Sequence, residues 1–355
     1  MAVDYKRELH TLVDLILQEK ASDLHFSVGS HPLIRVSGSL IPLLKKPILT
    51  DPDVAGFAKI LMREDQHRRF LTYEEVDFSY ESTDGVRFRG NAFYQRGQMG
   101  IALRLIPNVI RSFQDLSLPP ILESFTQRSQ GFFLCVGPVG QGKSTTLASM
   151  IDVINKNRSE HIVTIEDPIE YVYTEEKSLI DQREIGIDTM SFEAALSAAL
   201  RQDVDVILVG EMRNSETIAA AVTAAETGHL VFSTLHTNDA AQTINRIVDS
   251  FPGSQQDQIR VQLASSLIGI FSQRLIPRIA GGLVPAYELL INNSAVSNLI
   301  RDKRIHEIPS VIETGLEQGM IDMNRSLARL VQKGEITVEN AFTYSVNPKG
   351  LERLL

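Results

Sequence analysis

The sequence predicts an α/β protein in which a smaller α+β domain precedes a mostly parallel sheet. Three observations carry this reading. Four short, continuous apolar runs lie between residues 131 and 234. Segments with helical apolar spacing fill the gaps between the last three. Residues 1–107 instead show short alternating segments broken by glycine and proline. Continuous apolar strands mark a sheet covered on both faces, and strand–helix–strand alternation marks a parallel one.

Bulk composition sets the limits. At about 150 residues per domain, a chain of 355 residues has room for two domains or three. With 43% hydrophobic and 22% charged residues it is an ordinary well-packed chain, which excludes wholesale disorder. No run approaches the ~18 uninterrupted apolar residues of a membrane span. The segment Met1 to His10 is polar, so no secretory signal is expected. The single cysteine, Cys135, excludes an internal disulfide and a multi-cysteine zinc site, and fits a reducing, cytoplasmic setting. A net charge of -9 argues against a sequence-independent nucleic-acid binder, which needs cations to displace phosphate counterions.

The first region, 1–107, opens on an amphipathic helix with Leu9, Leu12, Val13 and Ile16 in step. Strands follow at 24–28 and 33–36. A later run from Val86 to Gln95 places Arg87, Arg89 and Asn91 on one face and Val86, Phe88 and Ala92 on the other. It pairs with Ile101–Ile106 across a turn at Arg96-Gly97-Gln98. Residues 108–119, after Pro107, read as a linker holding Asn108, Ser112, Ser117 and Pro119. The second region, 120–275, holds strands at 131–136, 161–165, 206–209 and 230–234. Helices carry Phe192, Ala195, Leu196 and Ala199, then Ile218, Ala221, Val222 and Ala225, with Gly228 past the end of the second. The third region, 276–355, follows Gly281-Gly282 and reads as short helices.

Gly137-Pro138-Val139-Gly140-Gln141-Gly142-Lys143-Ser144 matches G-x-x-x-x-G-K-[ST] between a buried strand and a helical run that begins with Thr145. Glycines let backbone N–H groups turn inward around phosphate oxygens, and the helix start adds its positive dipole end. Lys143 supplies a charge to the β/γ-phosphates and the Ser144 hydroxyl a ligand for Mg²⁺. The plain alternative is a glycine-rich turn without a ligand. The pattern implies nucleotide binding, and hydrolysis needs further parts.

Those parts have candidates. Glu166, Asp167 and Glu170 leave the carboxyl end of the second strand, where ligands collect in open α/β sheets. Either they position the attacking water or they form a solvated acidic turn, and spacing does not choose the base among them. The third strand ends Val209-Gly210-Glu211, with glycine where a metal-supporting aspartate usually stands, leaving Glu211 to reach Mg²⁺ alone. His229 and His236 bracket the fourth strand about 20 Å apart, so they do not share one ion. His236 lies on the nucleotide side; His229, taken alone, reads as structural. Arg87, Arg89, Arg96 and Arg104 gather on one hairpin, either as a solvated basic face or as arginines reaching a neighbour's γ-phosphate.

Taken together, these residues resemble the secretion ATPase superfamily of type II and type IV pilus systems, and within it the pilus-retraction branch. The resemblance spans nearly the whole chain: Ala21 to Phe26, Arg87 to Phe93, the Walker A segment, Thr164 to Tyr171 as an Asp box, Val209 to Arg213 as an atypical Walker B, and Thr227 to Thr237 as a His box. It implies a PAS-like N-terminal domain, a RecA-like P-loop ATPase domain and a homohexameric ring using ATP and Mg²⁺. It implies that Glu170 activates water, that Glu211 supports Mg²⁺, that both His229 and His236 matter, and that arginines at Arg89, Arg96 and Arg104 act between domains or subunits. Partners would be an inner-membrane platform protein and related pilus ATPases at the cytoplasmic face of the membrane, with the first domain swinging on the linker. Ser297 replaces an arginine of the retraction branch's A-I-R-N-L-I-R-E box, which leaves an accessory ring with weak hydrolysis as an alternative. A pilus-assembly or type II secretion ATPase is another, disfavoured by the missing zinc cysteines, and a nucleic-acid translocase is disfavoured by the acidic charge.

Overall fold

The computed structural model describes residues 4–36, 38–106 and 109–355. Met1 and, in the expected linker, Pro107 and Asn108 lie outside the described residues. The chain divides into two compact units, residues 1–109 with 170–172, and residues 110–169 with 173–355.

The first unit contains α1 (Tyr5–Gln18), β1 (Asp23–Ser27), β2 (Leu33–Val36), β3 (Ser39–Pro42), α2 (Asp51–Leu61), α3 (Glu64–Tyr73), β4 (Glu75–Glu81), β5 (Arg87–Gln95) and β6 (Gln98–Ile106). Its strands form one antiparallel sheet in the order β3-β2-β1-β6-β5-β4. Helix α1 starts where the Asp4 carboxylate accepts from the Arg7 N–H, and buries Leu9, Leu12, Val13 and Ile16 as its spacing predicts. Between β5 and β6, Arg96 and Gly97 take φ of 50° and 75°, the backbone that a tight two-residue hairpin turn requires. Phe88 and Ala92 therefore face the core while Arg89 faces out.

The second unit contains α4 (Glu123–Thr126), β7 (Gly131–Val136), α5 (Lys143–Asn157), β8 (His161–Glu166), β9 (Leu179–Glu184), α6 (Phe192–Ala199), β10 (Val206–Val209), α7 (Ser215–Glu226), β11 (Leu230–Leu235), α8 (Ala240–Asp249) and α9 (Gly253–Ser266). After these come β12 (Leu267–Pro277), β13 (Leu283–Ile291), α10 (Ser294–Arg301), α11 (Ile308–Thr314), α12 (Met323–Gln332), α13 (Val338–Tyr344) and α14 (Pro348–Glu352). The sheet order is β13-β12-β7-β11-β10-β8-β9, parallel except for β13. Strands β7, β10 and β11 are buried along their whole length, as continuous apolar runs require.

The structure differs from the sequence expectation after residue 276. Helices do not follow at once, because β12 runs to Pro277 and β13 returns beside it. Gly281 and Gly282, with φ of 86° and 78°, turn the chain back into the same sheet. Among the described residues no helix is long and apolar enough to cross a membrane.

Candidate active site

Strand β7 ends in a loop that glycine alone can trace. Gly137, Gly140 and Gly142 have φ of 143°, 78° and 76°, and Gly142 immediately precedes α5. A Cβ on Gly137 would lie 2.4 Å from the Gln273 carbonyl oxygen on β12. Val139 projects from the loop tip, 80% exposed. Lys143, the first residue of α5, is buried and folds back over the loop, donating from Nζ to the carbonyls of Gly137 at 2.8 Å and Pro138 at 2.9 Å.

Four neighbouring strands deliver a line of interacting side chains at their carboxyl ends. Lys143 Nζ lies 3.2 Å from His236 Nδ1, just beyond β11. His236 Nε2 lies 3.5 Å from Glu211 Oε2, two residues beyond β10. Arg213 donates to the other oxygen of Glu211, and its Nη1 lies 3.6 Å from Asp167 Oδ2, just beyond β8. A lysine ammonium only donates, so Nδ1 of His236 accepts, and Nε2 carries the proton aimed at Glu211. The bond from Glu211 holds the Arg213 guanidinium above its ordinary range. Parallel strands bring all these ends to one edge of the sheet.

Gly210 stands where the usual aspartate would be, in a tight place. Its Cβ would meet the Ile165 carbonyl oxygen at 3.3 Å and Glu166 Cα at 3.4 Å. Its N–H donates to Ile165 and its carbonyl accepts from the Thr234 hydroxyl, which fixes the peptide from both sides. Glu211 is the acid that follows this glycine. Glu166 is buried beside it and accepts from the Thr164 hydroxyl at 2.7 Å.

The other residues singled out in the sequence are each placed within their own unit. Glu170 lies in the segment 170–172 that groups with the first unit. His229 precedes β11, at the end opposite His236, where Nδ1 donates to the Ala224 carbonyl at 2.9 Å and closes α7. Arg89, Arg96 and Arg104 belong to the first unit. Arg104 lies directly opposite Arg89 in the β5–β6 register and donates from Nε to Asp23 at 3.0 Å. Arg96 occupies the exposed hairpin turn.

Sequence reasoning missed Gln273, Thr146, and the pairing of Arg213 with Asp167. Gln273 donates from Nε2 to the Gln141 carbonyl at 2.7 Å and accepts at Oε1 from the Thr146 hydroxyl at 2.7 Å. Gln141, read as a free position of the motif, accepts at Oε1 from the Leu275 N–H at 2.7 Å. Nothing local signals a clamp whose halves lie more than 120 residues apart.

The donor set suits a nucleotide with a hard divalent cation. The glycine-shaped backbone and Lys143 are the groups that would meet its phosphates. Ser144, at the second position of α5, and Glu211 offer the oxygen ligands such a cation takes.

Comparison with known proteins gives consistent matches. The profile of the type II/IV secretion system protein family matches residues 4–308. The chain is 43% identical over 334 residues to the type IV pilus retraction ATPase PilT of Pseudomonas aeruginosa, covering 94% of this chain and 97% of that one. It is 38% identical over 352 residues to the type IV pilus ATPase PilU of the same organism, covering 98% and 91%. A crystal structure of the pilus retraction motor PilT with bound ADP superposes with a TM-score of 0.91 at 48% identity, covering 96% and 98%.

Proposed function

Because this chain belongs to the type II/IV secretion system protein family, we propose that it is a motor that hydrolyses ATP to retract type IV pili. The class of reaction is ATP to ADP and phosphate. The observation that carries the proposal is the run Lys143–His236–Glu211–Arg213–Asp167 along one edge of the parallel sheet. Lys143 binds the β/γ-phosphates, and the backbone of Gly140 to Gly142 cradles them. Ser144 and Glu211 would hold Mg²⁺, which neutralises charge on the phosphates when bound. His236, with its proton fixed on Nε2, links the lysine to Glu211 and so registers the γ-phosphate.

Glu170 is assigned the general base that takes the water proton, on the strength of its place in the Asp box. Arg89 and Arg96 are assigned to a neighbouring copy's phosphates in a homohexamer. Arg104 fits this role less well because Asp23 engages it. The ring would turn an inner-membrane platform protein from the cytoplasmic face.

Substituting Lys143→Ala tests the core of this reading. ATP turnover of the purified variant should fall at least about a hundredfold, with a parallel loss of twitching in cells. Parent-like turnover would overturn the assignment. A second reading, an accessory ring with weak hydrolysis, is favoured by Ser297, whose hydroxyl bonds Ala264 rather than presenting a charge, and by the full-length likeness to PilU. Slow parental turnover that rises only when a second pilus ATPase is added would select it.

A further inference from the structure

Lys143 and His236 approach each other from two different loops, so something must set the gap between them. Both loops are tied to adjacent residues of β12. From one face of this strand, Gln273 bridges the phosphate loop, bonding Gln141 on one side of Lys143 and Thr146 on the other. The Leu275 N–H holds the Gln141 side chain, and the Gln273 carbonyl fills the space a side chain at 137 would need. From the opposite face, Ser272 donates to the Asn238 carbonyl at 2.7 Å. Its cross-strand partner on β13, Glu288, accepts from the Ala240 N–H at 2.9 Å. Asn238 and Ala240 belong to the turn that runs from His236 into α8. Ser272 and Gln273 are buried, 0% and 3% exposed, so the donor end of each bond is shielded from water.

We infer that β12 is the positioning element of this site: Gln273 sets the phosphate loop, while Ser272 and Glu288 set the turn that carries His236. The inference rests on the ATPase reading above and adds residues to it. Side chains alternate across a strand, so neighbours 272 and 273 necessarily act on different loops. Gln273 and Ser272 are positioning residues, since each bonds a loop group and acts through it. Their effects separate. Gln273 shapes the part of the site that meets any nucleotide. Ser272 acts through His236, which meets only the γ-phosphate.

The test compares Gln273→Leu and Ser272→Ala in the full chain, using a fluorescent ADP analogue for binding and phosphate release for turnover. Gln273→Leu should weaken ADP binding roughly tenfold, the scale of two lost buried hydrogen bonds. Ser272→Ala should leave ADP binding within about twofold and lower kcat roughly fivefold or more, because misplacement of a positioned group costs rate. Gln141→Ala, at a partly exposed position, is the second variant on the phosphate-loop side and should shift ADP binding in the same direction even where Gln273→Leu melts early. If Ser272→Ala and the glutamine variants move the same constant, or if all bind and turn over like the parent, the inference is overturned while the ATPase reading stands. A parent that neither binds ADP nor hydrolyses ATP overturns both.

Discussion

At the scale of single residues, the site is built from what side chains are prevented from doing. Gly137 is the clearest case. Its φ of 143° disfavours any L side chain, and the Gln273 carbonyl stands where a Cβ would go. Gly137→Ala should therefore cost about 2 kcal/mol or more through strain and overpacking combined. Urea unfolding measures the cost, and ADP binding should weaken with it; an unchanged midpoint would mean the loop relaxes freely. Gly210 is tighter than an ordinary position but less severe, since a Cβ there would approach Ile165 and Glu166 at 3.3 Å and 3.4 Å. The motif marked Lys143 and Ser144 in the sequence. It did not mark Gln141, because a motif records the residues that meet phosphate and leaves unspecified those that brace the loop from behind. Cys135 beneath the loop is inert, since burial pushes its thiol up to about 12.

At the scale of elements, β8 shows how a strand is anchored at the end away from the site. His161 opens it, with Nε2 2.9 Å from Asp181 on β9 and Nδ1 near the carbonyls of Gln202 at 3.0 Å and Asp203 at 3.2 Å. Both ring nitrogens face acceptors, so the doubly protonated ring satisfies them all. Partial burial lowers its proton affinity, yet Asp181 and the two carbonyls outweigh that and leave it raised. The stabilisation is fully present below the unfolded value of about 6.5. It is lost as the pH rises through the higher folded value. In a urea series from about pH 6 to 9 the parent should lose stability where His161→Asn loses less. Equal slopes would refute this anchor. The alternating and helical periods announced α1, β5, β6, β7, β10, α7 and β11. They did not announce β13, because its return depends on a hairpin that pairs with a strand already in the sheet.

At the scale of the whole molecule, the proposed ring makes turnover a matter of assembly. ATP hydrolysis per chain should rise with protein concentration and then level off, because a site completed by a neighbour forms only as copies associate. Specific activity independent of concentration down to dilutions where gel filtration finds monomer would exclude arginines supplied in trans. The sequence alone determined that a glycine-shaped phosphate loop caps a buried strand, that parallel strands surround it, and that acids and histidines lie at strand ends. All of these are local matters of periodicity and spacing. Only the tertiary structure decided who meets whom. The strands run β7-β11-β10-β8 across the sheet but β7-β8-β10-β11 along the chain. That order puts His236 beside Lys143, and brings Gln273 against a loop 132 residues away. Periodicity reports which face of a strand is buried; the neighbour it pairs with is fixed only when hydrogen-bonding edges and apolar faces are satisfied together across the sheet.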